Sequence, residues 1–249
     1  MRSGGDCLQF FTNIFDSKKI RQLPYYVVIY YQRFNQPKHT QKILFIGDYK
    51  TMTNGKWLIG CEESGRVRDC LRAVGVDAWS CDILPCTENP SKYHIQDDLL
   101  KVIKSEKWSA IISFPPCTHL CLSGNRYRAE KIADGREKAA IDFVEAIWET
   151  DCKVAIENPV GVLSTKSKLG KASQYVCPTW FGETYRKKTG LWLKGFPKLV
   201  PTNKIDISTL TKKQLNKLYY LAPSPTRALE RSKTPHGLAQ AIAAQWGSL

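Results

Sequence analysis

The chain has 249 residues and a formal net charge of +14; 43% of its residues are hydrophobic and 24% are charged. This length and composition are typical of a soluble, globular α/β domain, or of one such domain with a small appendage. No apolar run reaches the roughly 18 residues that a membrane-spanning helix needs, and the first residues lack the basic start and long apolar stretch of a secretory signal, so the sequence predicts neither a membrane nor a secreted protein.

Residues 1–51 differ from the rest of the chain. They mix aromatic residues with Gln and Asn and show no clear period. We interpret them as a poorly ordered N-terminal extension, or as translated sequence upstream of the true start, and assign no function to them.

From Lys56 onward, short apolar stretches alternate with segments of helical spacing. In chain order they predict a strand at 56–61, a helix at 67–74, a strand at 77–82, a helix at 99–107, a strand at 108–114, a helix at 139–150 and a strand at 153–157. This alternation predicts an α/β fold with a doubly wound, mostly parallel sheet. Ligands of such sheets bind beyond the carboxyl ends of the strands.

The charge is unevenly distributed along the chain. Residues 52–160, the predicted core, hold 14 Lys/Arg and 17 Asp/Glu, whereas residues 161–233 hold 15 and 3. A near-neutral core beside a strongly basic region indicates a surface that faces a polyanion, although a basic surface without a partner would look the same. Residues 234–249 are predicted to form a helix that returns to the core.

The nine cysteines are an odd number and are scattered through predicted strands and helices. We interpret them as reduced thiols of a cytoplasmic protein. No C-x-x-C pair is present to complete a zinc site, so no metal is predicted. The oligomeric state stays open, with a monomer as the expectation.

The first chemical motif is Ile-Gly-Cys-Glu-Glu-Ser-Gly at 59–65, between the first predicted strand and helix. Gly60 and Gly65 allow a tight turn and the close approach of a ligand to the backbone. The motif is not the G-x-G-x-x-G fingerprint, because Glu62 and Glu63 stand where pyrophosphate would bind and would repel it. A cationic group, such as a sulfonium or an ammonium, is tolerated there.

Acidic residues follow the next two strand regions. Asp82 lies 22 positions after Gly60, where an acid of a nucleoside-binding sheet holds the ribose hydroxyls; the alternative is an acid that starts a loop before Pro85. Asp97 and Asp98 are placed to bind an adenine amino group, although one of them is also expected to cap the helix near residue 99.

Pro115-Pro116-Cys117 is the sharpest feature of the sequence. Two prolines end a buried strand and present the Cys117 thiol rigidly at the carboxyl edge of the sheet. A thiolate is suited to covalent catalysis. Carbon 5 of cytosine accepts a methyl group only after it is activated, and thiolate addition to carbon 6 makes it enamine-like. The alternative is an ordinary buried cysteine.

Glu157 stands in Ile-Glu-Asn-Pro at the end of another predicted strand. A carboxyl group close to the nucleophile can hold N3 and the amino group of cytosine, and protonation at N3 makes carbon 6 more electrophilic. Together with Pro-Pro-Cys on a neighbouring strand, this motif favours cytosine chemistry.

With these motifs, the stretch from Trp57 to Trp246 resembles the DNA cytosine-5 methyltransferase family, and especially its compact bacteriophage members. The matching pieces are 60–68, 80–85, Phe-Pro-Pro-Cys-Thr at 114–118, Ile-Glu-Asn-Pro at 156–159, 181–182, 188–194 and 230–234. The resemblance implies a Rossmann-like methyltransferase fold that uses S-adenosylmethionine to methylate double-stranded DNA. It implies Cys117 as nucleophile and Glu157 as its acid partner, and a cofactor site at Gly60, Glu62, Ser64, Gly65, Asp82, Asp98 and Pro115.

The sequence departs from larger members of that family. They read E-N-V where this chain has Glu-Asn-Pro, and their Q-x-R-x-R strand is replaced here by the segment around Arg186 to Thr189. Only about 75 residues separate Pro159 from Thr234, which leaves no room for a long recognition domain. We predict that phosphates are contacted by Arg186, Lys187, Lys188, Arg227 and Arg231.

Two rival interpretations remain at this point. The first is the same chemistry on RNA or on a pyrimidine nucleotide; the basic region at 161–233 favours a polymer over a free nucleotide. The second is a DNA-binding protein that keeps the fold without turnover, although both predicted catalytic residues are present.

Overall fold

The structure is a computed structural model. It describes residues 55–122 and 127–249 and, before them, two short strands. The chain divides into two compact units, residues 1–50 and 51–249. In the first unit, β1 (Ile29–Tyr31) pairs antiparallel with β2 (Lys42–Leu44). The rest of the predicted N-terminal extension lies outside the residues that the structure describes.

A seven-stranded sheet forms the centre of the second unit. Its strands are β3 (Trp57–Gly60), β4 (Ala78–Asp82), β5 (His94–Gln96), β6 (Ala110–Ser113), β7 (Lys153–Pro159), β8 (Gln174–Val176) and β9 (Thr189–Lys194). They lie side by side in the order β5-β4-β3-β6-β7-β9-β8. Strands β3 to β7 are parallel to one another, and β9 is antiparallel to both of its neighbours. The predicted α/β class with a mostly parallel sheet is confirmed, and the arrangement is compatible with a Rossmann-like fold.

Helices cover both faces of this sheet. They are α1 (Arg66–Ala73), α2 (Leu99–Ser105), α3 (Arg128–Ala133), α4 (Arg136–Trp148), α5 (Leu163–Lys166), α6 (Lys212–Leu215), α7 (Arg227–Ser232) and α8 (His236–Trp246). The sequence predicted α1, α2, α4 and α8 to within a few residues at each end. No helix in the described ranges is long and apolar enough to span a bilayer.

The core has two parts because successive side chains of a strand point to opposite faces. On β3, Ile59 packs with residues of α1 and α8, whereas Leu58 packs with residues of α2 and α4. Both side chains are completely buried. Burial on both faces explains why this strand is a continuous apolar run rather than an alternating one.

The basic region at 161–233 is not only an appendage to the core. It supplies β8 and β9 to the same seven-stranded sheet. After it, α8 packs against α1. The buried Trp246 at the end of α8 stacks near Phe196, with ring centroids 4.6 Å apart. The C-terminal helix therefore holds the region after β9 against the core.

Candidate active site

The site lies where the order of the strands reverses. β3 is followed in the chain by β4 and β5 on one side, and the chain then crosses to β6 on the other side of β3. The register places Gly60 beside Cys81 of β4 and beside Ser113 of β6. Ligands of open α/β sheets bind outside such a switch point, and most of the predicted site residues follow the ends of β3, β4, β6 and β7.

Cys117 begins a single helical turn just beyond β6. Its carbonyl accepts hydrogen bonds from the backbone N–H groups of Leu120 at 3.0 Å and Cys121 at 2.9 Å. This turn brings the thiols of Cys117 and Cys121 to the same side, because residues four apart on a helix are neighbours. We call residues 114–122 the Pro-Pro-Cys loop.

Gly161, just after β7, holds this loop from the other side. It forms a β-bridge with Cys121, and the next residue, Val162, donates its N–H to the Leu120 carbonyl at 2.8 Å. A Cβ atom on Gly161 would overlap that same carbonyl oxygen. Only glycine therefore lets the two segments approach this closely.

We expect Gly161→Ala to push the Pro-Pro-Cys loop away from β7. Because backbone rather than a flexible side chain is in the way, the variant should lose about 1–3 kcal/mol of unfolding free energy. Urea unfolding measures this loss. Val160→Ala, at an exposed neighbouring side chain, is the matched control and should change stability by less than about 0.5 kcal/mol. Equal stability of the two variants would contradict the assigned close contact.

Asn158 fixes the start of the loop. It is completely buried, and its Nδ2 donates to the Pro115 carbonyl at 2.9 Å. Ser113 of β6 is in register with Ile156 of β7, so Glu157 lies next to the first residue after β6. The structure thus brings the Pro-Pro-Cys and Glu-Asn-Pro motifs together.

Glu157 is held by a side chain from β9. The hydroxyl of Thr189, itself buried, donates to Glu157 Oε1 at 2.5 Å. Glu157 pairs with Leu191 in the antiparallel ladder, so Thr189 is its diagonal neighbour on the same face. This contact orients the carboxyl group, and its other oxygen, Oε2, makes no hydrogen bond with the described residues.

The groups around the Cys117 thiol act in opposite directions on its pKa, and the net effect is a rise. Its interaction with the Cys121 thiol and its burial raise its pKa above the ordinary thiol range, as does the nearby Glu157 carboxylate. The half-buried ammonium group of Lys187 acts in the opposite direction and lowers this pKa. Lys187, predicted from sequence as a phosphate contact, is thus a charge that also acts on the Cys117 thiol.

In the turn after β3, the predicted cofactor residues are engaged with the protein itself. Glu62 accepts the N–H groups of Val67, through Oε1 at 2.5 Å, and of Arg68, through Oε2 at 3.2 Å, which satisfies the N-terminus of α1. Burial raises the pKa of Glu62 to about 8, although these backbone hydrogen bonds oppose the rise. Ser64 Oγ accepts the N–H of Arg66 at 3.4 Å.

Packing and backbone conformation explain why the two glycines, Gly60 and Gly65, stand in this turn. A Cβ on Gly60 would lie 2.5 Å from Leu99 Cδ2, so α2 packs directly on the end of β3. Gly65 has φ +70°, a left-handed conformation that favours glycine. It also leaves space for the fully buried guanidinium of Arg68. Both glycines shape the turn on which a ligand would rest.

Asp82 is predicted from sequence to bind the hydroxyls of a ribose. It is partly buried at the end of β4, burial raises its pKa, and its Oδ1 accepts the N–H of Leu84 at 3.0 Å. The two residues after it, Ile83 and Leu84, are 72% and 47% exposed. An acid beside exposed apolar side chains thus lies at the carboxyl end of β4, the edge at which sheets of this kind bind ligands.

Asp98 and Ser113 lie at the same carboxyl edge of the sheet. Asp98 Oδ1 accepts the N–H of Lys101 at 3.1 Å, so Asp98 is the residue that caps α2. Ser113 is buried beside Gly60, and its side chain is a hydrogen-bond partner of the Cys61 thiol.

The predicted phosphate contacts lie on exposed parts of the basic region. Arg186, Lys188 and Arg231 are exposed, and Arg227 is half-buried, with its Nη2 donating to the Tyr219 carbonyl at 3.1 Å. Lys188 Nζ lies 4.7 Å from the ring centroid of Tyr175. None of these residues forms an ion pair with another described residue, which leaves their charges available to an anion.

Sequence reasoning missed several residues of this site. Asn158 was visible inside the Glu-Asn-Pro motif but was given no role, and Gly161 follows it closely. Thr189 lies in the segment compared with the Q-x-R-x-R strand but was given no role, and Cys121 carries no local signal. The contact of each with the site depends on strand register or on a loop turn. Compared with models of protein families and with curated proteins, the chain matches none of them.

Proposed function

We propose that this protein is an S-adenosylmethionine-dependent DNA methyltransferase that transfers a methyl group to carbon 5 of cytosine, with Cys117 as covalent nucleophile. The observation that supports this most is the convergence of three groups. The β6–β7 register and the Asn158 hydrogen bond to the Pro115 carbonyl bring the Cys117 and Glu157 segments to the same carboxyl edge of the sheet, and the charges of Glu157 and Lys187 both act on the Cys117 thiol. A thiol at a strand end under the influence of charged groups is a candidate for a functional site.

Each of these groups has a task in that chemistry. The Cys117 thiolate forms a bond to carbon 6 of a cytosine turned out of the duplex, and the electron pair moves to carbon 5. Glu157 holds N3 and the amino group of the base, and gives a proton to N3 as the ring accepts the thiolate. When bound, S-adenosylmethionine supplies an electrophilic methyl group for carbon 5. Loss of the carbon-5 proton to water and of the thiolate from carbon 6, with return of the N3 proton to Glu157, then restores the neutral aromatic ring.

The cofactor is expected to lie across the ends of β3, β4 and β6. Asp82 would bind the ribose hydroxyls, and Ile83 and Leu84 would contact the adenine ring. The backbone of the turn after Gly60 would approach the amino-acid part. Glu62 and Asp98 support this site from behind, since their carboxylates are occupied by the N-termini of α1 and α2.

Because the pKa of Cys117 is raised, the reactivity of its thiol should depend on pH. Because the thiol keeps its proton near neutral pH, we expect its alkylation by iodoacetamide to accelerate steadily from pH 7 to pH 10 rather than to level off near pH 8. Mass spectrometry of the labelled peptide measures the rate at each pH.

Lys187→Met should slow this alkylation at every pH in that range, since the removed ammonium group favours the thiolate. We expect this loss to be several-fold at pH 8, because removing the ammonium group raises the pKa of the Cys117 thiol further. The control is Lys188→Met, at a side chain directed to Tyr175, which should leave the rate unchanged. Equal effects of the two substitutions would show that Lys187 acts only through general surface charge.

Incubation with methyl-labelled S-adenosylmethionine and a separate duplex DNA, RNA or cytidine nucleotide tests the proposed function. Label in 5-methylcytosine of DNA alone is the expected result. Label in RNA or in the nucleotide would establish the rival substrate, and DNA binding without any transferred label would favour a protein that has lost turnover.

A further inference from the structure

Two adjacent tyrosines in the basic region have exposed side chains. Tyr219 is 74% and Tyr220 is 50% exposed. Their rings pack against each other edge to face, with centroids 5.4 Å apart and planes at 83°. In this geometry the face of one ring meets only the edge of the other, so aromatic surface stays open to solvent.

The backbone presents this pair on an ordered turn. Just before it, Thr211 and Gln214 form a capping box at the start of α6. The N–H groups of Tyr219 and Tyr220 both donate to the Asn216 carbonyl, at 2.9 and 3.2 Å. The Tyr219 carbonyl in turn accepts the contact from Arg227 at 3.1 Å. The pair is therefore held in place rather than carried on a loose loop.

A short path of contacts joins this turn to the candidate active site. The N–H of Arg186 donates to the Leu215 carbonyl at 2.8 Å, and Lys217 Nζ lies 5.9 Å from the ring centroid of Tyr185. The residue after Arg186 is Lys187, whose ammonium group acts on Cys117. The turn that carries the tyrosines thus packs on the segment that leads to the nucleophile.

Positive charge surrounds the tyrosines. Lys212, Lys213 and Lys217 are exposed on α6 and on the turn, and Arg186 is exposed beside them. None of the four forms an ion pair with a residue in the described ranges. Cations that are free to meet phosphates, interleaved with open aromatic faces, are the combination that binds a nucleic-acid strand with unstacked bases.

We propose that residues 212–220 form a nucleic-acid contact surface on which Tyr219 stacks against a base left unstacked when the target cytosine is turned out. This inference rests on the proposed function, because that function requires the turned-out base. The lysines contact the phosphates, which places the strand. Tyr219, the more exposed of the two rings, contacts the face of the base, and Tyr220 supports it from its edge.

The probe is a pair of duplexes of equal length, one fully paired and one with 2-aminopurine opposite an abasic site. The wild-type protein should bind the second duplex more tightly and quench its fluorescence by stacking. Tyr219→Ala should weaken binding to this duplex about tenfold, should relieve the quenching and should leave the salt dependence unchanged. Tyr219→Phe keeps an aromatic face and should behave as wild type.

The triple variant Lys212→Ala, Lys213→Ala and Lys217→Ala should show the opposite pattern. It should weaken binding to both duplexes alike and flatten the salt dependence, because phosphate contacts carry no base information. Undiminished affinity and quenching with Tyr219→Ala, in a protein that still methylates DNA, would overturn this inference alone. Failure of the wild type to bind either duplex would overturn the inference together with the proposed function, and binding to anionic lipid vesicles instead would assign the surface to membranes.

Discussion

Cys117→Ser is expected to abolish methyl transfer, with a loss on the order of a thousandfold or more, while DNA and S-adenosylmethionine still bind. Serine has nearly the same size, but its hydroxyl is too weakly acidic to add to carbon 6 of cytosine. Transfer of labelled methyl groups to duplex DNA measures the loss, and equilibrium binding of each ligand measures what is retained.

Cys121→Ser is the matched control for this experiment. Cys121 lies in the same turn, and its thiol interacts with the thiol of Cys117. A general effect of losing a thiol from the loop would therefore appear in both variants. We expect the control to retain activity within several-fold. If Cys121→Ser were the inactive variant and Cys117→Ser turned over normally, the nucleophile would have been assigned to the wrong thiol.

DNA that contains 5-fluorocytosine tests the addition of Cys117 to carbon 6 independently. Fluorine at carbon 5 cannot leave as a proton does, so the bond from Cys117 to carbon 6 should persist. Wild-type protein should then give a complex that survives denaturant, and Cys117→Ser should give none. Normal methylation of ordinary DNA without any trapped complex would argue against a covalent route.

The second large effect is expected for Glu157→Gln, which keeps the shape of the side chain and removes its ability to give a proton to N3. Loss of a positioned acid–base group costs about a hundredfold to ten-thousandfold in rate. The loss should appear in turnover rather than in affinity for S-adenosylmethionine, because Glu157 lies at the end of β7 beside Cys117 and not beside Asp82. Single-turnover kinetics together with cofactor titration separate the two quantities.

Thr189→Val is the companion substitution, since it removes only the hydroxyl that holds Glu157 Oε1. We expect a smaller loss of about tenfold, because the carboxyl group remains but is less well oriented. A cofactor affinity that fell in both variants, with an intact rate at saturating cofactor, would place Glu157 in the cofactor site instead.

The fold class was predictable from local patterns of apolar residues. The apolar runs at 56–61, 77–82, 108–114 and 153–157 became strands of one sheet, and the helical spacing at 67–74 and 139–150 became α1 and α4. Strand and helix periods are short-range properties, so they are visible in sequence. β8 and β9 were missed: β9 is antiparallel to both of its neighbours and β8 is the edge strand beside it, so neither continues the strand–helix alternation from which the other strands were predicted.

The candidate site was predictable only where a residue follows directly from the end of a strand. The sequence by itself placed Cys117 and Glu157 after strands and limited their chemistry through their side chains. The tertiary structure decided that the charge of Lys187 acts on the thiol, that Thr189 orients Glu157, and that Glu62 and Asp98 accept the N–H groups at helix N-termini. The reason is physical: a strand end is set by a few neighbouring residues, whereas strand register, close backbone approaches and the direction of a buried carboxylate depend on segments that are distant in the chain.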